Sequence, residues 1–162
     1  MKRAFLSLGS NRGDRKKQLE KALERLGRAG VQVLRASGRY KTEPVDFRPQ
    51  AWFLNCVVEV HTDLMPLQLL RACQAVERAL GRRHGVPKGP RPLDIDILMF
   101  ENAVIRSREL TIPHPRMEER RFVLVPLCEL APDLRHPLTQ RTVREMLHET
   151  GDMSRVIRLD QG

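Results

Sequence analysis

Gly89-Pro90-Arg91-Pro92-Leu93-Asp94-Ile95-Asp96-Ile97-Leu98 is the stretch whose residue types and spacing could do chemistry. A Gly/Pro turn presents an arginine, and a strand-like run follows in which successive side chains take opposite faces. Leu93, Ile95 and Ile97 can then enter a core while Asp94 and Asp96 share the other side. At a rise of ~3.3 Å per residue the two carboxylates stand roughly 6–7 Å apart along the strand. That separation suits one hard divalent cation, or a pair ~3.5–4 Å apart, with Arg91 near enough to hold a phosphate. The bland alternative is a solvated polar strand face. Against it, aspartate is disfavoured in strands, and two like charges on one face need a compensating cation. Two carboxylates leave most of an octahedral magnesium shell to water and phosphate oxygens, so the stretch points to metal-assisted phosphate chemistry.

Other candidates flank it. Arg82, Arg83, His84, Lys88 and Arg91 make a Gly/Pro-rich basic loop anchored beside the aspartates. A loop of that kind can close over a ligand and bring guanidinium groups onto charge developing at phosphorus. Arg82 and Arg91 lie nearest its two ends. Phe53 and Asn55 share a strand face, pairing an aromatic platform with an amide that both donates and accepts. That pair suits a flat heteroaromatic ligand and equally suits a core Phe beside a satisfied Asn. The Thr42–Val45 segment could offer backbone groups to the same ring. Gln74 and Glu77 are one helical turn apart and off the apolar stripe, which reads as a solvent-facing helix surface. His114, between two prolines, is either a rigid loop histidine or a phosphate contact.

The elements that must position these residues follow from periodicity. Lys2–Gly9 reads as a buried strand, and Ser10-Asn11-Arg12-Gly13-Asp14 as a turn that caps a helix. Leu19, Ala22, Leu23 and Leu26 recur at helical spacing until Gly27 and Gly30. Val31–Tyr40 is strand-like, and 44–49 is loop with Val45 and Phe47 as its apolar members. Phe53–His61 alternates, with Leu54, Cys56, Val58 and Val60 on one face and Phe53, Asn55 and Val57 on the other. Pro66 suits the first turn of a second helix with a Leu69, Cys73, Val76, Leu80 stripe, stopped by Gly81. After the 82–92 loop comes the Leu93–Phe100 strand. This β-α-β-β-α-β order is the split βαβ arrangement of an α+β, ferredoxin-like core with a mainly antiparallel sheet. A short strand near Ala103–Ile105, helices over Phe122–Leu130 (Pro126 near its start) and Val143–His148, and an edge strand at Arg155–Leu159 complete the chain.

Composition bounds the rest. One domain is expected over 1–162, large enough for a core without disulfides or structural metal. Cys56, Cys73 and Cys128 are odd in number, far apart and embedded in apolar runs, which argues against a disulfide framework or zinc knuckle. No stretch has the length of a membrane span or the form of a signal peptide, and a cytoplasmic protein is expected. The formal charge of +9 suggests an anionic partner. Arginine far outnumbers lysine but is scattered, so only the arginines near the carboxylates carry functional weight.

With these residues in place, the chain resembles the 6-hydroxymethyl-7,8-dihydropterin pyrophosphokinases of folate biosynthesis. The resemblance runs through Leu8-Gly9-Ser10-Asn11, Gly13-Asp14, Tyr40-Lys41-Thr42-Glu43-Pro44, Phe53-Leu54-Asn55, Gln74 with Glu77, Gly81-Arg82, Pro90-Arg91 with Leu93-Asp94-Ile95-Asp96, Ile112-Pro113-His114-Pro115, and Arg120 to Leu127. It implies an αβα layered fold with C-terminal helical additions, and pyrophosphate transfer from ATP to the pterin alcohol with release of AMP. It implies a pair of magnesium ions on Asp94 and Asp96, with Arg82 and Arg91 clamping the transferred group. Phe53 and Phe122 would sandwich the pterin, while Thr42, Pro44, Val45 and Asn55 read its edge. Gln74, Glu77, Ile97, Thr111, His114 and Arg120 would line the ATP site. A monomer binding neither nucleic acid nor membrane is expected. Pro87, Lys88, Glu109 and Pro115 depart from the residues usual at their places.

Two other classes compete. A nucleotidyltransferase of the polymerase-beta type also pairs Gly-Ser with Asp-x-Asp, but there the Gly-Ser shortly precedes the aspartates. Here Gly9-Ser10 lies two helices and several strands earlier. A basic RNA-binding module of the same core would carry paired aromatics on its central strands, where this chain offers few.

Overall fold

A computed structural model describes residues 1–44, 50–81 and 92–159. Strand β1 (Lys2–Ser10) leads through helix α1 (Arg15–Arg28) to β2 (Val31–Ala36), β3 (Tyr40–Thr42) and β4 (Phe53–Thr62). Helix α2 (Pro66–Ala79) and β5 (Asp94–Phe100) close the core unit. A small pair, β6 (Ile105–Arg106) and β7 (Thr111–Ile112), precedes α3 (Arg121–Leu130), α4 (Val143–Glu149) and β8 (Val156–Arg158).

The main sheet runs β5-β1-β4-β3-β8, with β2 also paired to β4, and every pairing is antiparallel. This is the α+β, ferredoxin-like arrangement read from the element order. Alternation along the strands divides the core into two layers. Ala4, Leu6, Leu8, Leu54, Cys56, Val58, Val60, Ile95 and Ile97 pack against Leu19, Ala22 and Leu26 of α1 and Leu69, Cys73 and Val76 of α2. Phe5, Val57, Leu98 and Met99 pack on the other side against Val123, Leu124 and Leu127 of α3 and Val143 and Met146 of α4. Local chemistry starts the helices where expected: the Asp14 carboxylate accepts the Lys17 N–H at 3.1 Å, and Pro66 takes the first turn of α2. No helix among the described residues is long and apolar enough to cross a membrane.

Three local expectations are corrected. The expected Val31–Tyr40 strand is broken, because the backbone at 37–39 leaves the ladder: the Ser37 hydroxyl accepts the Val57 N–H, and the Gly38 N–H turns to the Glu129 carboxylate. Helix α3 begins at Arg121, which puts Pro126 in its interior, where it offers no N–H to the Phe122 carbonyl. The short strand after β5 forms at Ile105–Arg106 rather than 103–105, since its partner is β7.

Register matters most at β5. Phe5 faces Met99 and Leu6 faces Ile97, so Leu98 is an extra residue, a bulge. The bulge lets Leu98 and Met99 both enter the α3/α4 layer, while upstream of it Asp94 and Asp96 keep strict alternation with Ile95 and Ile97.

Candidate active site

The aspartates occupy the sheet face that carries α3 and α4. Gly9 pairs with Asp94 on one side and Asn55 on the other, and Asn55 pairs onward with Tyr40. The row Asp94–Gly9–Asn55–Tyr40 therefore crosses four strands on one face. Ser7 stands beside Asp96 in the next row. Neighbouring strands are ~4.8 Å apart, so the amide of Asn55 and the carboxylate of Asp94 belong to one surface roughly 10 Å across.

At the amide end, Asn55 is only 3% exposed and Thr42 1%. The Asn55 side-chain N–H donates to the Thr42 hydroxyl, which fixes the amide plane. Phe53 is half-buried on the same face and opposes Thr42 in the register, and Pro44 is buried just beyond. At the start of α3, the Arg120 guanidinium lies 5.4 Å from the centre of the Phe122 ring in the first turn of the helix.

At the carboxylate end, Asp94 and Asp96 are half-buried. His114 reaches them from the loop after β7: its backbone N–H donates to the Leu98 carbonyl at 2.9 Å, so the bulge of β5 anchors the loop. The Ile112–Pro113 bond in this loop is cis. His114 Nδ1 accepts the Arg116 N–H at 3.2 Å, which places the ring proton on Nε2, 4.0 Å from the Asp96 carboxylate. Burial, with Arg120 second, pushes the imidazole down to about 4, opposed by Asp94. The ring is neutral at pH 7, and its contact with Asp96 is that of a donor rather than an ion pair.

The outer edge of β5 shows what side-chain patterning missed. Glu77 is 5% exposed, not on a solvent-facing surface, and its carboxylate accepts the Ile95 N–H at 2.8 Å. An edge strand presents unpaired N–H groups at alternate residues, and Glu77 covers the one between the aspartates. No helical periodicity signals that, because the partner is a strand edge. Gln74, half-buried, accepts from Arg71, whose guanidinium also pairs with Glu109. The Ile97 side chain is in the core at 4% exposure, so what it presents at this edge is main chain. Thr111 is half-buried on β7. Asn11, in the turn after β1, donates to Gln50 at 2.7 Å and to the Ala51 carbonyl at 3.2 Å, tethering the segment that leads into Phe53. Val45, Phe47, Arg82, Arg83, His84, Lys88 and Arg91 lie outside the described residues.

The donor set fits a hard cation: two half-buried carboxylates on one strand face, with the N–H of a neutral imidazole near Asp96. Among the described residues no group of three or more His, Cys, Asp and Glu side chains forms a closed metal cage. Two carboxylates leave the rest of an octahedral shell to water and ligand oxygens.

The family model described as 7,8-dihydro-6-hydroxymethylpterin-pyrophosphokinase (HPPK) matches residues 5–132. The folic acid synthesis protein fol1 of Schizosaccharomyces pombe is 46% identical over 145 residues, which is 89% of this chain and 20% of that protein. This chain thus spans about a fifth of the length of such fungal relatives. The 2-amino-4-hydroxy-6-hydroxymethyldihydropteridine pyrophosphokinase of Methylorubrum extorquens is 45% identical over 148 residues, 91% of this chain and 92% of that one. A crystal structure of Plasmodium falciparum HPPK-DHPS superposes with a TM-score of 0.71 at 17% identity, covering 92% of this chain and 43% of that one, a likeness of fold.

Proposed function

Because the chain belongs to the 7,8-dihydro-6-hydroxymethylpterin-pyrophosphokinase family, we propose that it transfers pyrophosphate from ATP to the hydroxymethyl group of 6-hydroxymethyl-7,8-dihydropterin, releasing AMP, in folate biosynthesis. The observation that carries this reading is the row Asp94–Gly9–Asn55, which sets an amide able to read a heteroaromatic edge two strands from a carboxylate able to hold a cation.

Asn55, the main chain at Thr42, and Pro44 and Val45 orient the pterin between Phe53 and Phe122. Asp94 and Asp96 are the residues that would hold a pair of magnesium ions arriving with ATP. Bound magnesium neutralises phosphate charge that would otherwise repel the incoming oxygen. His114, with its proton on Nε2, donates to a phosphate oxygen, and Arg120 adds positive charge on the same side. Gln74, Glu77, Thr111 and the main chain of Ile97 line the nucleotide along the outer edge of β5. Arg82 and Arg91 clamp the transferred group. The hydroxymethyl oxygen attacks the β-phosphorus in line and AMP leaves, so positioning and charge neutralisation dominate and no side chain is assigned as general base.

Residues 1–162 are read as one such domain, monomeric and cytoplasmic, acting on small molecules rather than nucleic acid or membrane. Its three cysteines are free thiols, in keeping with a reducing compartment. The test is incubation with ATP, magnesium and 6-hydroxymethyl-7,8-dihydropterin, followed by separation of nucleotides. AMP in equal amount with pyrophosphorylated pterin is expected; ADP, or free pyrophosphate with a nucleotidylated pterin, would refute it.

A further inference from the structure

Gly9 is interior to β1, where glycine weakens a strand and commonly marks the close approach of another group. Its backbone does not need glycine: the positive-φ glycines among the described residues are Gly13, Gly30 and Gly81. What Gly9 provides is space. A Cβ at this position would stand 2.2 Å from Asn55 Oδ1, 3.4 Å from Asn55 Cγ and 3.4 Å from Cδ1 of Phe53. The amide could not simply swing aside, because its other end is committed to the Thr42 hydroxyl and the side chain is buried.

We propose that Gly9 is a positioning residue for the acceptor: by lacking a side chain it lets the Asn55 amide lie flat across β1, stretched between Thr42 and the bare backbone of Gly9. The amide so held shares one sheet face with Asp94, to which Gly9 pairs on its other side, so an acceptor read by Asn55 lies over the row that leads to the carboxylates. Any substituent at Gly9 rotates the amide out of its pose before it touches the nucleotide side of the site. The inference rests on the reading of Asn55 as a pterin contact.

The test is titration of the full chain with 6-hydroxymethylpterin by calorimetry, with magnesium–ATP binding measured in parallel, for Asn55→Ala, Gly9→Ala and the double variant. Each single substitution is expected to weaken pterin binding about tenfold or more, with magnesium–ATP affinity held within about twofold. In the Asn55→Ala background, Gly9→Ala should cost less than about threefold more, because the group it displaces is gone. Pterin affinity unchanged in Gly9→Ala, an equal loss of magnesium–ATP binding, or full additivity would overturn the role of Gly9 while leaving the pterin reading intact. Unchanged affinity in Asn55→Ala would overturn the pterin reading, and the role of Gly9 with it. Should Gly9→Ala not fold, the double variant, free of the clash, decides: affinity equal to Asn55→Ala supports the proposal, and a further tenfold loss overturns it.

Discussion

The carboxylate of Glu77 accepts the backbone N–H of Ile95 at 2.8 Å, so the residue that separates the two aspartates is held from the side by a buried group on α2. Side-chain alternation puts Asp94 and Asp96 on one face; Glu77 keeps the strand segment between them from shifting along the sheet edge. The cost of losing such an acceptor is that of a covered N–H left unpaired, about 1–3 kcal/mol.

Glu77→Ala is therefore expected to lower Tm by roughly 3–10 °C and to reduce magnesium-dependent turnover. Glu77→Gln retains an acceptor oxygen at the same reach and should keep most of the stability. Calorimetric melting of the two variants checks this. A Glu77→Ala melt matching the parent would show that the bond to Ile95 contributes nothing.

His114 gives a signed pH dependence. Its native pKa is pushed down to about 4 by burial and by Arg120 and Arg116, from an ordinary value of 6.5. Between those values the unfolded chain binds a proton that the native chain does not, so stability is intact above pH 6.5 and falls as pH drops toward 4. The full effect is about 3 kcal/mol at ~1.4 kcal/mol per pKa unit. Denaturant melts across that range should show the decline, and His114→Asn should remove its larger part. His136, also shifted down by burial, contributes in the same direction. An imidazole resonance for His114 titrating near 6.5 would contradict the assignment.

If Arg91 clamps the transferred group as proposed, Arg91→Ala should lower kcat by about a hundredfold or more while leaving the KM for ATP within a few-fold, as expected of a contact that strengthens only when charge develops in transfer. Steady-state kinetics with both substrates varied separates the two constants. Equal changes in both would indicate ground-state binding instead.

Much of the fold was legible because alternation and helical spacing are local signals. Leu54, Cys56, Val58 and Val60 enter one layer and Val57 the other, as their period requires. Asp94 and Asp96 were legible for the same reason. Less was legible where a residue's partner is distant in the chain. Glu77 reads as solvent-facing because it lies off the Leu69, Cys73, Val76, Leu80 stripe of α2, yet its partner is the edge of a strand beyond the 82–91 segment. The break at Ser37 depends on Val57 and Glu129, and the Leu98 bulge on how β1 meets β5. Gly9 could be recognised as part of a motif, but its purpose appears only when the Asn55 amide is laid beside it.

On the proposed function, Asp94 and Asp96 together form a cation site completed by nucleotide. The direct measurement is the free Mn²⁺ electron paramagnetic resonance signal during titration of the chain with α,β-methylene-ATP, for the parent and for Asp94→Asn and Asp96→Asn. The parent should take up Mn²⁺ with the analogue at least about tenfold more tightly than without it, and each substitution should abolish that gain. Undiminished nucleotide-dependent uptake in both variants would contradict the account.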